Sequence, residues 1–188
     1  MTTHDALAPS AWVQRWSHLV APGATVLDVA CGHGRHMQWF AARGHAVLGL
    51  DRSAEALAVA AQFGQTLQAD IEGGPWPLLD EGRPRRFGAV VVTNYLWRAL
   101  LPIIAYSVAP GGVLIYETFA AGNESVGKPS RPEFLLHSGE LLQACAGMRV
   151  VAFEDGTLTA PERFVQRIAA IQPESEPAGE VAPARYAL

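Results

Sequence analysis

The chain has 188 residues, 49% of them hydrophobic, which is enough for one domain with a proper core and too few for a second. Its formal net charge is −4, and its fourteen Lys and Arg residues are scattered apart from Arg83, Arg85 and Arg86, which argues against nucleic acid as the main partner. Two cysteines, Cys31 and Cys145, exclude a disulfide framework and Cys-x-x-Cys redox or zinc chemistry, and the lack of a leader pattern or membrane-length apolar run points to a cytoplasmic protein without a membrane partner.

Pro9-Ser10 before Ala11-Trp12-Val13-Gln14-Arg15-Trp16 reads as a helix start, with Ser10 as N-cap and Trp12 and Trp16 one turn apart on one face. Pro22-Gly23 ends this helix, which spans residues 10–20 and is a candidate lid. Residues 25–30 then form a buried strand, 35–42 a helix closed by Gly44, 46–51 a second strand, 54–62 a helix and 66–69 a short strand. After a Gly/Pro loop, 87–93 is the most strand-like run, rich in β-branched residues. Residues 96–108 are helical, with Pro102 bending the helix or marking its true first turn, and Pro110-Gly111-Gly112 turns into a strand over 113–119. Residues 122–132 are a polar Gly/Pro loop, 138–145 a short helix capped by Ser138, and 149–154 and 164–171 an antiparallel pair turning near Asp155-Gly156.

Alternating strands and helices imply a doubly wound α/β architecture of Rossmann type: a mostly parallel seven-stranded sheet with an antiparallel last strand and helices on both faces. Residues 1–172 make the single domain, and residues 173–188, rich in Pro, Ala and Glu, make a mobile tail. Ligands of such sheets sit beyond the C-terminal strand ends. That rule gathers the Gly32/Gly34 turn, Asp51, Asp70, Asn94 and Glu117 at one edge, although they are far apart in sequence.

The most informative stretch is Val26-Leu27-Asp28-Val29-Ala30-Cys31-Gly32-His33-Gly34-Arg35-His36, a strand running into a glycine turn and a helix. Glycines there let a ligand approach the backbone, and the following helix start offers free N–H groups. A dinucleotide wants a small third residue in G-x-G-x-x-G/A, where this chain has Met37. A nucleoside triphosphate wants G-x-x-x-x-G-K-[ST], and Gly122 to Lys128 imitates this but runs into Pro129, which has no hydroxyl for magnesium. Asp28 would repel a pyrophosphate and suits a net-cationic ligand, S-adenosylmethionine. His33 and His36 lack the further ligands that a metal site needs. Asp28, Asp51 and Asp70 are also open to structural readings as ion-pair partner, helix cap and turn residue.

The segment Val26 to Gly34 resembles the first motif of class I S-adenosylmethionine-dependent methyltransferases, with Ala30 in place of that motif's first glycine. The resemblance extends over residues 20–170 and implies roles by position. It implies that Asp28, Ala30, Gly32, His33 and Gly34 cradle the amino-acid end of the donor, and that Asp51, with Arg52 beside it, accepts bonds from the ribose hydroxyls. By the same likeness Asp70 and Ile71 bracket the adenine, and Asn94-Tyr95-Leu96 lies beside the methionine moiety and the acceptor.

Methyl transfer from a sulfonium is an in-line displacement that gains much of its rate from positioning, so a catalytic base is not required. If one acts, Glu117 is the best-placed carboxylate, with Tyr95 and Tyr116 as hydrogen-bonding alternatives. Asn94-Tyr95 differs from the Pro-Pro-Tyr type of motif that serves planar amines, and no basic face is evident, so a small-molecule acceptor is expected. Trp97, Arg98, Tyr116, Arg131 and Phe134 are candidates to bind it, the arginines by clamping an anionic group. The stretch from Lys128 to Leu142 resembles small bacterial methyltransferases of the tellurite-resistance and thiopurine type. The alternatives are a catalytically silent S-adenosylmethionine-binding sensor or partner subunit, and a nicotinamide oxidoreductase, which Asp28 and Met37 disfavour.

Overall fold

The computed structural model describes residues 8–174 and 185–188. Nine strands alternate with five α-helices: α1 (Ala11–Trp16), β1 (Val26–Val29), α2 (Arg35–Ala41), β2 (Val47–Asp51), α3 (Ala54–Ala60), β3 (Gln65–Gln68), β4 (Leu79–Asp80), β5 (Arg83–Pro84), β6 (Phe87–Thr93), α4 (Leu101–Tyr106), β7 (Val108–Phe119), α5 (Glu140–Ala144), β8 (Arg149–Thr159) and β9 (Glu162–Ile171). Seven strands form one sheet in the order β3-β2-β1-β6-β7-β9-β8, and β4 and β5 pair apart from it. The first five strands are parallel, β9 runs antiparallel to β7, and β8 runs antiparallel to β9. This is the expected doubly wound sheet, with the last strand in sequence as the antiparallel one.

The central strands β1, β6 and β7 are apolar runs because both faces are covered, as parallel sheets require. Side chains alternate along β7: Val113 and Ile115 pack with Trp12, Trp16, Met37 and Phe40 on one face, and Leu114 and Tyr116 pack with Leu96, Ile104 and Leu141 on the other. Ser10 caps α1 as expected, its Oγ accepting from Trp12 N (3.1 Å) and Val13 N (3.5 Å). The indole of Trp12 meets that of Trp16 edge to face at 5.5 Å and donates to Ile168 O (3.2 Å), which fixes α1 across β7 and β9. No helix among the described residues is long and apolar enough to cross a membrane.

Four local expectations need correction. The stretch 96–108 is not one helix: a 3-10 turn over Arg98–Leu100 precedes α4, which carries Pro102 in its first turn, where the missing N–H has no partner to lose. Ser138 does not cap α5; Gly139 (φ +70°) does, while Ser138 Oγ donates to Asp155 Oδ2 (2.9 Å). That contact keeps Asp155 within β8, opposite Gln166, so the hairpin turns at Ala160-Pro161 and not at Asp155-Gly156. The β4–β5 hairpin was not foreseen, although Glu81 (φ +50°) and Gly82 (φ +78°) supply the two left-handed residues that a tight hairpin turn needs. The segment Gly122 to Lys128 is an ordered loop closed by buried Asn123, whose Nδ2 donates to Pro129 O (2.9 Å) and whose Oδ1 accepts from Phe164 N (3.2 Å). Of the tail, residues 175–184 lie outside the described residues; Tyr186 packs beside Arg149 with a cation–ring separation of 5.2 Å.

Candidate functional site

Beyond Val29 the chain turns through three left-handed residues, Ala30 (φ +55°), Gly32 (φ +53°) and Gly34 (φ +79°), before α2 begins. The two glycines do different work. A Cβ at Gly32 would meet no atom within 4 Å, so its bare backbone faces open space, whereas a Cβ at Gly34 would lie 2.9 Å from Ala60 Cβ, so that glycine lets α2 pack on α3. Ala30 holds a conformation that costs an alanine about 1 kcal/mol. Asp51, at the end of β2, anchors the turn: its Oδ2 accepts from Gly32 N and its Oδ1 from Ser53 N, both at 2.8 Å.

Asp51 and Asp70 stand on either side of a cleft of about 430 Å³ whose other walls are Ala30, Leu50, Arg52, Ala69, Ile71, Glu72 and Tyr95. Asp70 Oδ1 accepts from Glu72 N (3.0 Å) and Gly73 N (3.1 Å), and these donors hold the carboxyl below its ordinary pKa. A second cleft of about 490 Å³ shares Glu72 and Tyr95 and is completed by Asn94, Leu96, Thr118, Phe119, Pro129 and Phe134. The two therefore adjoin, with Glu72 and Tyr95 as common walls. Asn94 (φ +54°), at the end of β6, turns the chain between them.

Beneath the turn lies a buried carboxyl group. Asp28 is 1% exposed, and burial pushes its pKa up to about 7, although Arg35 pulls the other way. His36 is equally buried and is pushed down to about 3 by burial and by the Arg35 charge, so its ring is neutral. Its Nε2 accepts from Ser10 N (3.1 Å), which leaves the proton on Nδ1, 3.9 Å from Asp28 Oδ2. That oxygen has no hydrogen-bond partner among the described residues.

Several predicted acceptor-side residues stand elsewhere than expected. Glu117 is neither solvated nor free: it is 3% exposed, its Oε1 accepts from Ser10 Oγ (2.9 Å) and its Oε2 from Arg167 (3.2 Å). Both carboxylate oxygens are thus engaged, one by a hydroxyl and one by a guanidinium. Tyr116 does not line either cleft; it is buried in the core with its hydroxyl donating to Tyr95 O (2.8 Å). Arg98 is not available to clamp a substrate, because its guanidinium is spent on Glu140 (2.7 and 3.0 Å) and on the carbonyls of Glu133 (2.8 Å) and Leu135 (2.6 Å). Arg131 pairs with Glu133 on the exposed surface and covers the ring of Phe134, and Trp97 packs half-buried on the core. Phe134 and Tyr95 do reach the second cleft, and His33 is exposed at the turn. Sequence reasoning named Ser10 only as a helix cap and His36 only as a metal candidate, and missed Arg163 and Arg167, because the partners of Glu117 come from elements distant in sequence.

Residues 26–112, which span the turn and the walls of the first cleft, match the family model described as a methyltransferase domain. That match covers less than half of the chain. Among solved structures with its fold are TehB of Haemophilus influenzae (TM-score 0.69, 18% identity, 87% of this chain and 62% of that one) and a TehB-like S-adenosylmethionine-dependent methyltransferase of Corynebacterium glutamicum (0.62, 16%, 89% and 91%). Another is the glycopeptide N-methyltransferase MtfA complexed with S-adenosylhomocysteine (0.57, 16%, 86% and 88%). The chain thus spans less than two thirds of the Haemophilus protein. No curated protein matches the sequence.

The residues of the site fit S-adenosylmethionine. Open space at Gly32 admits the amino-acid end, the unpartnered Asp28 oxygen complements an ammonium, and the first cleft has a carboxylate on each side for ribose and adenine donors with Ile71 and Tyr95 as apolar walls.

Proposed function

We propose that this chain transfers a methyl group from S-adenosylmethionine to a small molecule bound in the second cleft. The observation that carries this reading is that two clefts share Glu72 and Tyr95 as walls, one suited to a nucleoside and the other bounded by the Asn94 turn and by Phe119 and Phe134. S-adenosylmethionine supplies an electrophilic methyl on a sulfonium, so the protein's task is to align a nucleophile with it. Asp51 would bind the ribose hydroxyls while its existing bond to Gly32 N keeps the turn in register with β2. Asp70, already fixed by Glu72 N and Gly73 N, keeps Oδ2 for the adenine amine. Asp28 balances the ammonium from below the turn. Phe119, Phe134 and Tyr95 would exclude water from the acceptor, and no residue of the site is required as a base. Calorimetry tests the donor half: the wild type binds S-adenosylhomocysteine and Asp51→Ala weakens it at least tenfold. No binding by the wild type, or equal affinity in the variant, would refute it. Transfer of label from the donor to members of a small-molecule panel tests the acceptor half, and labelling of protein or nucleic acid alone would refute that.

A further inference from the structure

Glu72 is the only charged residue that lines the second cleft, where it stands with the rings of Tyr95, Phe119 and Phe134. No ion pair among the described residues engages its carboxylate. The hydroxyl of Tyr95 is buried and has no hydrogen-bond partner among the described residues. The two groups are neighbours: burial first, and then the charge of Glu72, hold the phenol above its ordinary pKa. The cations around the cleft do not answer the carboxylate. Arg131 lies over the Phe134 ring at 5.4 Å but is paired with Glu133, Arg98 is spent on Glu140, and Lys128 is exposed and does not line the cleft. Arg52, whose charge reaches Tyr95 and Asp70, lines the first cleft and not the second.

A carboxylate without a counter-charge, a hydroxyl without a partner and a set of aromatic rings suit one kind of ligand. An ammonium group meets the charge of the carboxylate, its N–H groups donate to both oxygens, and ring faces attract a cation while also covering apolar surface. An anion would be repelled by Glu72, and a purely apolar ligand would leave both polar groups unpaired. Resting on the methyl-transfer reading, we infer that the acceptor is a small organic amine, anchored as its ammonium ion by Glu72 and the Tyr95 hydroxyl, with its apolar body against Phe119 and Phe134. Glu72 is then a specificity-determining residue, which selects a cation in contrast to the anion clamp expected of Arg98 and Arg131. Because Glu72 also borders the first cleft, the anchor lies where the acceptor and donor clefts adjoin.

The full chain, saturated with S-adenosylhomocysteine at neutral pH, is titrated with benzylamine, its neutral analogue benzyl alcohol and the anion benzoate, with binding read by NMR shift changes. Benzylamine should bind at least tenfold more tightly than either of the others. Glu72→Gln should lose that preference and Glu72→Asp keep part of it, while Phe134→Ala should weaken benzylamine and benzyl alcohol by a similar factor. Absence of benzylamine binding, equal or tighter binding of benzyl alcohol or benzoate, or an unchanged preference in Glu72→Gln would overturn the inference. Benzylamine binding unaffected by Phe134→Ala would overturn it too, by placing the ligand outside the second cleft. So would a tenfold loss of S-adenosylhomocysteine affinity in Glu72→Gln, which would assign the carboxylate to the donor. Failure of the wild type to bind S-adenosylhomocysteine would instead overturn the donor reading on which the inference rests.

Discussion

Adding one methyl group at Gly32 and at Gly34 separates recognition from packing. Both positions are left-handed, at φ +53° and +79°, and alanine in that region costs roughly 1–2 kcal/mol. At Gly32 nothing lies within 4 Å of the new Cβ, so that strain is the whole stability effect, and for a chain of this size it lowers Tm by about 3–6 °C. At Gly34 the Cβ falls 2.9 Å from Ala60 Cβ and 3.0 Å from Ala60 Cα. Backbone cannot step aside as a flexible side chain can, so overpacking adds roughly 1–3 kcal/mol and the total reaches about 2–5 kcal/mol. Gly34→Ala should therefore melt about 5–15 °C below wild type. Ligand affinity follows the other order. The methyl at Gly32 stands in the space through which the donor reaches the backbone, so Gly32→Ala should bind S-adenosylhomocysteine at least tenfold more weakly, about 1.4 kcal/mol. Thermal melts and calorimetry on the two purified variants measure both quantities. Wild-type affinity in Gly32→Ala, or a Gly34→Ala melt no lower than that of Gly32→Ala, would refute the division of labour.

Two further outcomes are expected. Ala30→Gly should relieve the left-handed strain at φ +55° and stabilise the protein by about 1 kcal/mol, raising Tm by about 2–4 °C in a thermal melt; a fall in Tm would contradict it. Asp28 and His36 should impose opposite pH dependences. With its pKa raised to about 7, folded Asp28 holds a proton that the unfolded chain releases above about pH 4, so its contribution is lost as pH rises toward 7. With its pKa lowered to about 3, folded His36 lacks a proton that the unfolded chain holds below about pH 6.5, so its contribution is lost as pH falls. The two offset each other in the wild type between about pH 4 and 6.5. Asp28→Asn should then gain urea resistance from pH 4.5 to 6.5 and His36→Asn should lose it over the same interval; slopes of equal sign would show that burial does not control the pair.

The sheet and the donor turn were legible in the residues because their causes are local. Buried parallel strands must be apolar on both faces, which marks 87–93 and 113–119 directly, and a strand that breaks into Gly32 and Gly34 just before a helix leaves few conformations open. Carboxylates near strand ends followed from the period of the chain, so Asp51 and Asp70 could be placed at one edge of the sheet before any coordinate was known, and the cleft between them came from the tertiary structure. The turn at Asp155-Gly156 failed for the opposite reason: local composition favours a bend there, and contacts from Ser138 and Gly139, sixteen or more residues away, keep the strand going.

The same distinction governs the charged residues. By sequence, Glu117 is a carboxylate at a strand end, and Arg98 and Arg131 are cations near an acceptor loop. Only the tertiary structure decides that Glu117 is held by Ser10 and Arg167, that Arg98 is consumed by Glu140, and that Arg163 Nε has no partner among the described residues. What a sequence determines is the conformation each residue prefers and the face on which it falls. Whether a charge is spent or available depends on partners brought within about 4 Å by closure of the whole sheet, and those partners here lie 42 to 107 positions away along the chain.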